Sequence, residues 1–253
     1  MTTLSLVGAV GGAGTTRTTL ELAGVLARAG REVCVLDAAY ATQGLADYVP
    51  GRIDTDVTAL CADGTTEDLT DAPALATGLL DLDGGADAGR LAVCPARAPF
   101  ERLARAKTPE AAQRFGALVE TAAESFDHVL VDVPPVAANQ AVAAVTTTDR
   151  VALVAPDTAR GHDGLARQHD RLADVGAPAP ETVLTFGETA DSDDGAVAIP
   201  ECEVAAPADV PVTTDGDGPF VASVAAACET LLDESLDLDT DGGGVFDRLG
   251  VGT

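Results

Sequence analysis

Ser5-Leu6-Val7-Gly8-Ala9-Val10-Gly11-Gly12-Ala13-Gly14-Thr15-Thr16-Arg17-Thr18-Thr19 is the stretch that decides how the rest of the chain is read. It joins an apolar run, Leu4 to Val10, to an apolar-periodic segment, Leu20 to Ala29, through a glycine-rich turn followed by hydroxyl residues. The expected order is strand, turn, helix. Glycines let successive backbone N–H groups converge on an anion, and the N-terminus of the following helix adds partial positive charge. Such a turn suits phosphates, and a hydroxyl in the first helical turn suits Mg²⁺. The same residues also describe a plain tight turn, so the stretch has to be weighed with what lies downstream.

Set against the phosphate-loop pattern G-x-x-x-x-G-K-[ST], Gly14 takes the second glycine, Ala9 the first, Thr15 the lysine and Thr16 the metal-binding hydroxyl. The architecture survives and the lysine does not. Glu32 to Leu36 reads as a second strand with Asp37 at its C-terminal edge. In an open parallel sheet that edge lines the ligand crevice, although an acid in this position also serves as a turn residue or helix cap. Phe126 to Pro135 is a continuous apolar strand carrying Asp132 near its end, the form in which a carboxylate meets a metal-bound water or the loop hydroxyl.

Between and after these landmarks, short apolar strands alternate with amphipathic helices. Strands are expected at Arg90 to Cys94, Arg150 to Ala155 and Thr182 to Phe186. Helices are expected at Thr42 to Val49, Pro99 to Ala106, Pro109 to Ala123, Ala137 to Val145, Thr158 to Asp174 and Phe220 to Leu232, with one or two more between Asp54 and Gly85. That alternation predicts a three-layer α/β fold: a doubly wound, mostly parallel sheet with helices on both faces. Glu188 to Gly195 is an acidic, breaker-rich loop, and Ile199-Pro200 followed by Val210-Pro211-Val212 opens a last small unit. Residues 1–234 form the expected domain and 235–253 an acidic, flexible tail.

Composition narrows the function classes. The chain has 253 residues, of which 41 are acidic and 15 basic, for a net charge of −26, and Lys107 is the single lysine. Acidity spread along the whole length keeps a protein hydrated in concentrated salt. In this respect the chain resembles haloarchaeal proteins, and a high-salt cytoplasm is the expected location; an acidic mimic of nucleic acid would concentrate the charge in blocks. The same charge works against nucleic-acid binding, which depends on neutralising phosphates. No apolar run approaches the roughly 18 residues of a membrane span, and Met1 to Leu6 lacks the basic start of a secretory signal. Cys34, Cys61, Cys94, Cys202 and Cys228 are scattered without C-x-x-C spacing, as expected of packing thiols. His128 reads as a partly exposed strand residue. His162 and His169 stand two helical turns apart, too far to share one ion.

Taken in order, these pieces resemble the MinD/ParA branch of P-loop ATPases over nearly the whole chain. The branch motif K-G-G-V-G-K-T-T falls on Val10 to Arg17, Asp37 matches the first acid of its D-x-D, and Phe126 to Pro135 matches Y-D-x-V-I-I-D-x-P-P. The resemblance implies an ATP/ADP site built from Gly11, Gly12, Ala13, Gly14, Thr15, Thr16 and Arg17, with Mg²⁺ near Thr16 and Asp132 and a catalytic role for Asp37. It also implies a switch or positioning factor working with a partner protein or as a homodimer. The departures fall at the chemistry: Val10 and Thr15 replace both family lysines and Ala39 replaces the second acid. Losing one group that stabilises transferring charge costs about 2.7 to 4 kcal/mol of barrier, so ATP hydrolysis is expected to be weak or absent. Arg17 either swings toward a phosphate or stays a surface arginine at a helix start. The alternative function is a pseudo-ATPase scaffold that binds partners without nucleotide, and a ligase of the CobQ/dethiobiotin-synthetase kind is a third use of the same fold. Val245, Phe246 and Leu249 faintly resemble the membrane-binding C-terminal helix of MinD proteins, but one arginine beside an acidic run is weak support for membrane attachment.

Overall fold

The computed structural model describes residues 1–62, 72–85, 89–187 and 196–238. In chain order the strands are β1 (Thr2–Gly8), β2 (Val33–Asp37), β3 (Leu80–Leu82), β4 (Leu91–Cys94), β5 (His128–Val133), β6 (Arg150–Pro156), β7 (Glu181–Thr185) and β8 (Ala196–Ile199). The helices are α1 (Thr15–Arg28), α2 (Val57–Ala62), α3 (Ala72–Ala76), α4 (Phe100–Ala106), α5 (Pro109–Ser125), α6 (Asn139–Thr147), α7 (Ala159–Asp174) and α8 (Pro219–Leu232). Gly44–Tyr48 is a 3₁₀ turn. The strands form one sheet in the order β3-β4-β2-β5-β1-β6-β7-β8. Every pairing is parallel except β3 with β4.

The doubly wound, mostly parallel sheet read from the sequence is therefore what forms, and its physical basis is plain in the strands. Val129, Val131 and Val133 of β5 face one apolar cluster with α5 and α6, while Leu130 faces the other. Leu4 and Leu6 of β1 pack toward α1 and α8, and Val7 points the opposite way. Strand side chains alternate with period two, so a sheet covered on both faces needs apolar residues in both registers. Each large aliphatic side chain so buried contributes about 1.5–3 kcal/mol.

Local signals set the helix ends. Thr108 caps α5 by accepting the Ala111 N–H, with Pro109 at the first helical position. Thr158 caps α7 through the Gly161 N–H. Gly30 follows α1 with a φ of +80°, the left-handed exit expected after that helix.

Several details differ from the sequence reading. Strand β1 ends at Gly8 rather than Val10, with the Ala9 N–H making its last ladder bond to β6, to Val154 O at 2.8 Å. The antiparallel strand β3 was missed, since three residues offer no periodicity to read. His128 is buried rather than partly exposed, with Nε2 3.3 Å from a carboxylate oxygen of Glu234, and burial lowers its pKa. Leu236, which the sequence assigned to the tail, packs into the α1–α8 cluster, and its N–H donates to Glu229 Oε1 at 2.7 Å. The loop at 188–195 and the tail from residue 239 onward lie outside the described residues. Cys34, Cys61, Cys94 and Cys228 are buried and free, and burial pushes the Cys34 thiol up to about 12, as expected of packing thiols.

Candidate functional site

The loop between β1 and α1 sits at the carboxyl ends of the parallel strands, where β1 is flanked by β5 on one side and β6 on the other. The chain changes from one half of the sheet to the other around this strand, and such switch points form the binding crevice of open α/β sheets. Gly12 and Gly14 adopt φ values of +80° and +78°, a left-handed backbone that favours glycine. Gly14 is the N-terminal boundary of α1, and the first N–H groups of that helix have no side-chain cap. Thr185 Oγ1 donates to Ala13 O at 2.9 Å and anchors the loop to β7.

Across the loop, Thr16 Oγ1 donates to Asp132 Oδ2 at 2.6 Å. The parallel register places Asp37 of β2 beside Asp132 of β5, and both carboxylates lie on the α1 face of the sheet because they follow Val35 and Leu130 by two residues. Neither reaches bulk solvent. Burial raises the pKa of Asp132, partly offset by the Thr16 hydroxyl. Burial also raises the pKa of Asp37, with the neighbouring Asp132 carboxylate adding to the effect and the N–H groups of Ala96 and Ala39 opposing it. Those N–H groups meet Asp37 at 3.0 and 2.7 Å. Both oxygens of Asp37 thus hold the backbone that follows β2 and β4.

A cleft of about 380 Å³ opens over the loop, lined by Val10 to Arg17 with Ala39, Asp47, Tyr48, Asp132 and Pro134 among its other walls. All seven residues read as nucleotide contacts, Gly11 to Arg17, line this cleft. Asp37 is not part of the wall; Ala39 is. Next to the cleft, a small hollow of about 90 Å³ shares Gly14 and Arg17 with it and is walled by Phe186, Ile199, Pro200 and Phe220. Two roomier surface hollows, of about 490 and 590 Å³, contain none of the loop residues.

The positions of the missing lysines are informative. Val10 is buried in the apolar cluster with α1 and rests against Gly164 of α7. Thr15 is half-buried, its hydroxyl over Gly8, where a β-carbon would come within 2.7 Å. Arg17 donates from Nε to Glu21 Oε1 at 2.5 Å and from Nη1 to Val204 O at 2.9 Å, and its guanidinium lies 6.0 Å from the centre of the Phe220 ring. Its Nη2 is buried without a partner among the described residues.

Sequence reasoning missed Glu21, which is buried and also accepts the Val212 and Thr213 N–H groups, and it missed the two contacts of Thr185. It also missed Gly161 and Gly164, although isolated glycines inside an amphipathic helix are a legible sign of close packing. Among the described residues, no group of three or more His, Cys, Asp or Glu could hold a metal on its own, and no helix is long and apolar enough to cross a membrane. His162 and His169 are both exposed on α7, and His162 faces Asp157 at 3.0 Å.

The sheet order, with a glycine-rich loop between β1 and α1, gives the chain a doubly wound α/β fold of the kind P-loop proteins have. No protein-family model and no curated protein sequence matches the chain. Solved structures do match it. The septum site-determining protein MinD complexed with Mg-ADP from Pyrococcus horikoshii OT3 is 16% identical, with 90% of this chain and 94% of that one covered at a TM-score of 0.70. A ParA family ATPase from Chlorobium tepidum TLS is 16% identical over 90% of this chain and 98% of that one, also at 0.70. The MinC:MinD cell division complex of Aquifex aeolicus matches at 18% identity, 94% and 98% coverage and a TM-score of 0.69. The chain's fold is that of the MinD/ParA ATPases.

Proposed function

We propose that the chain is a MinD/ParA-like nucleotide-binding protein, a switch or positioning factor in spatial organisation or partitioning. The observation that carries this reading is the 2.6 Å hydrogen bond from Thr16 to Asp132 beneath a loop whose Gly12 and Gly14 are left-handed. A hydroxyl and a carboxylate so joined are the pair that holds Mg²⁺, directly or through water, while loop N–H groups take phosphates. The residues present fit that ligand: the end of α1 has no side-chain cap, and the orphaned Nη2 of Arg17 is a donor in want of an acceptor. The apolar hollow beside Gly14 suits a planar base, which stacks on aromatic and aliphatic walls. Bound Mg²⁺ would supply charge neutralisation at the phosphates.

In this reading, Gly11 to Thr15 cradle ATP or ADP, Arg17 lies beside the phosphates, and Thr16 with Asp132 serves the metal. Asp37 is a positioning residue rather than a catalytic one, because both of its oxygens bind backbone N–H groups outside the cleft wall. Hydrolysis is weak or absent, since neither Val10 nor Thr15 brings a charge to the phosphates. Nucleotide-dependent pairing with a second copy or a partner protein would be the output. The burial of Val10 favours one second reading, a pseudo-ATPase scaffold, because a buried valine cannot reach a partner's phosphates.

The melting temperature in molar KCl with Mg²⁺ separates the two. A ligand present at about 100 times its Kd adds roughly 2.7 kcal/mol to the folded state. The switch reading expects a rise with ATP or ADP that Asp132→Ala abolishes. No rise at millimolar nucleotide would leave the scaffold.

A further inference from the structure

Among the described residues lining the cleft, Arg17 is the sole lysine, arginine or histidine, and the cleft also carries Asp47 and Asp132. Its place is particular. It lies where cleft and apolar hollow meet, sharing that border with Gly14. A nucleotide whose base occupied the hollow would run its phosphates past Gly14 and Arg17 first. Away from the hollow, the cleft wall includes Val10, Pro134 and Pro135, which offer no cation, and the prolines offer no N–H.

In a phosphate loop the backbone N–H groups cradle the α- and β-phosphates, and the lysine reaches the β- and γ-phosphates. Here the first set is retained and the second is gone. A third phosphate would bring further negative charge toward Asp132 and Asp47 with no side-chain cation among the described residues to meet it, whereas the first two, which ADP and ATP share, would lie toward Arg17, whose Nη2 has no partner among the described residues. Charge-assisted contacts from a guanidinium are the stronger kind of hydrogen bond, but ADP and ATP both present the phosphates it would reach, so the third phosphate alone orders the affinities.

We propose that the cleft selects a nucleoside diphosphate over the triphosphate: Arg17 anchors the two phosphates that both share, and the cation-free wall beyond it disfavours the third. The inference rests on the nucleotide reading above and reverses its expected order: the ADP form is the tightly held state. Arg17 is tied to Val204 O and Glu21, so its engagement with a phosphate would also be felt in the segment between β8 and α8.

Calorimetric titration of the full chain with AMP, ADP and ATP, in molar KCl and Mg²⁺, tests it. ADP is expected to bind roughly five- to tenfold more tightly than ATP, the penalty of bringing one more phosphate to a wall that carries carboxylates and no further side-chain cation. ATP binding as tightly as ADP, or more tightly, overturns the selectivity while leaving nucleotide binding in place. Failure of all three to bind overturns the nucleotide reading itself. Arg17→Gln should weaken ADP and ATP by about the same factor, and unchanged affinities for both remove Arg17 from the proposal. Arg17 also ties two segments together, so Thr15→Lys provides a readout that leaves those ties intact: it should raise ATP affinity more than ADP affinity, and an equal gain for both would count against the missing lysine as the source of selectivity.

Discussion

Gly164 leaves the room that Val10 occupies: a β-carbon built on Gly164 would stand 2.5 Å from Val10 Cγ1 and 2.9 Å from the Ala9 carbonyl oxygen. Helix α7 therefore presses bare backbone onto the start of the glycine loop. The valine is part of the packing of that loop, and the position is not free to carry a long cation.

Restoring lysines at the two family positions should accordingly give opposite results. Val10→Lys places an ammonium in a buried apolar site and should cost about 3 kcal/mol in stability, whereas Thr15→Lys starts from a half-buried position and should cost less than about 1 kcal/mol. Gly164→Ala should cost about 1–3 kcal/mol by overpacking. Urea denaturation in molar KCl measures all three. A Val10→Lys protein as stable as the parent would mean the loop can open at Val10.

Glu21 collects three donors inside the protein: Arg17 Nε and the backbone N–H groups of Val212 and Thr213. Glu21→Ala leaves them unpaired and should destabilise by about 3–5 kcal/mol, with Glu21→Gln milder because one acceptor oxygen remains. The same denaturation assay reads this, and equal losses in the two variants would show that charge rather than acceptor count is what matters.

The Asp37 carboxyl makes stability depend on pH with a definite sign. Its pKa is raised above the unfolded value by burial and by Asp132, so the native state binds more protons than the unfolded chain above about pH 4. Stability should therefore fall as pH rises from there through the raised pKa. Asp37→Asn carries a fixed cost for one lost acceptor but no titration, so the melting-temperature difference between parent and variant should shift with pH in the variant's favour. A difference that stays flat from about pH 4 to about pH 8 would contradict the buried carboxyl.

Thr16→Val keeps the shape of the side chain and removes the hydroxyl. It should cost about 1.5–3 kcal/mol, because Asp132 loses a hydrogen bond while remaining buried, and the Mg²⁺-dependent part of any nucleotide-induced stabilisation should vanish. Thr16→Ser should retain both. Loss of the Mg²⁺ dependence in Thr16→Ser as well would assign it to packing of the methyl group.

Much of this was legible because the signals are local. The apolar runs of β1, β2 and β5, the Pro109 start of α5 and the glycine exit after α1 each depend on a few adjacent residues, and each formed close to where it was expected. The edge strand β3 is too short to show a pattern. His128 misled because alternation cannot show that Glu234, more than a hundred residues away, packs over the start of β5.

The sequence by itself determined the class of fold and the loop at its centre, since period-two strands, 3.6-period helices and left-handed glycines are written in neighbouring residues. It also placed Thr16 and Asp132 as a pair, through the order of two motifs. Only the tertiary structure decided where the charges go. Register set Asp37 beside Asp132, helix packing buried Val10 under Gly164, and Glu21 with Val204 fixed the direction of Arg17. Burial and charge proximity depend on contacts between residues far apart in the chain, and no local pattern encodes those contacts.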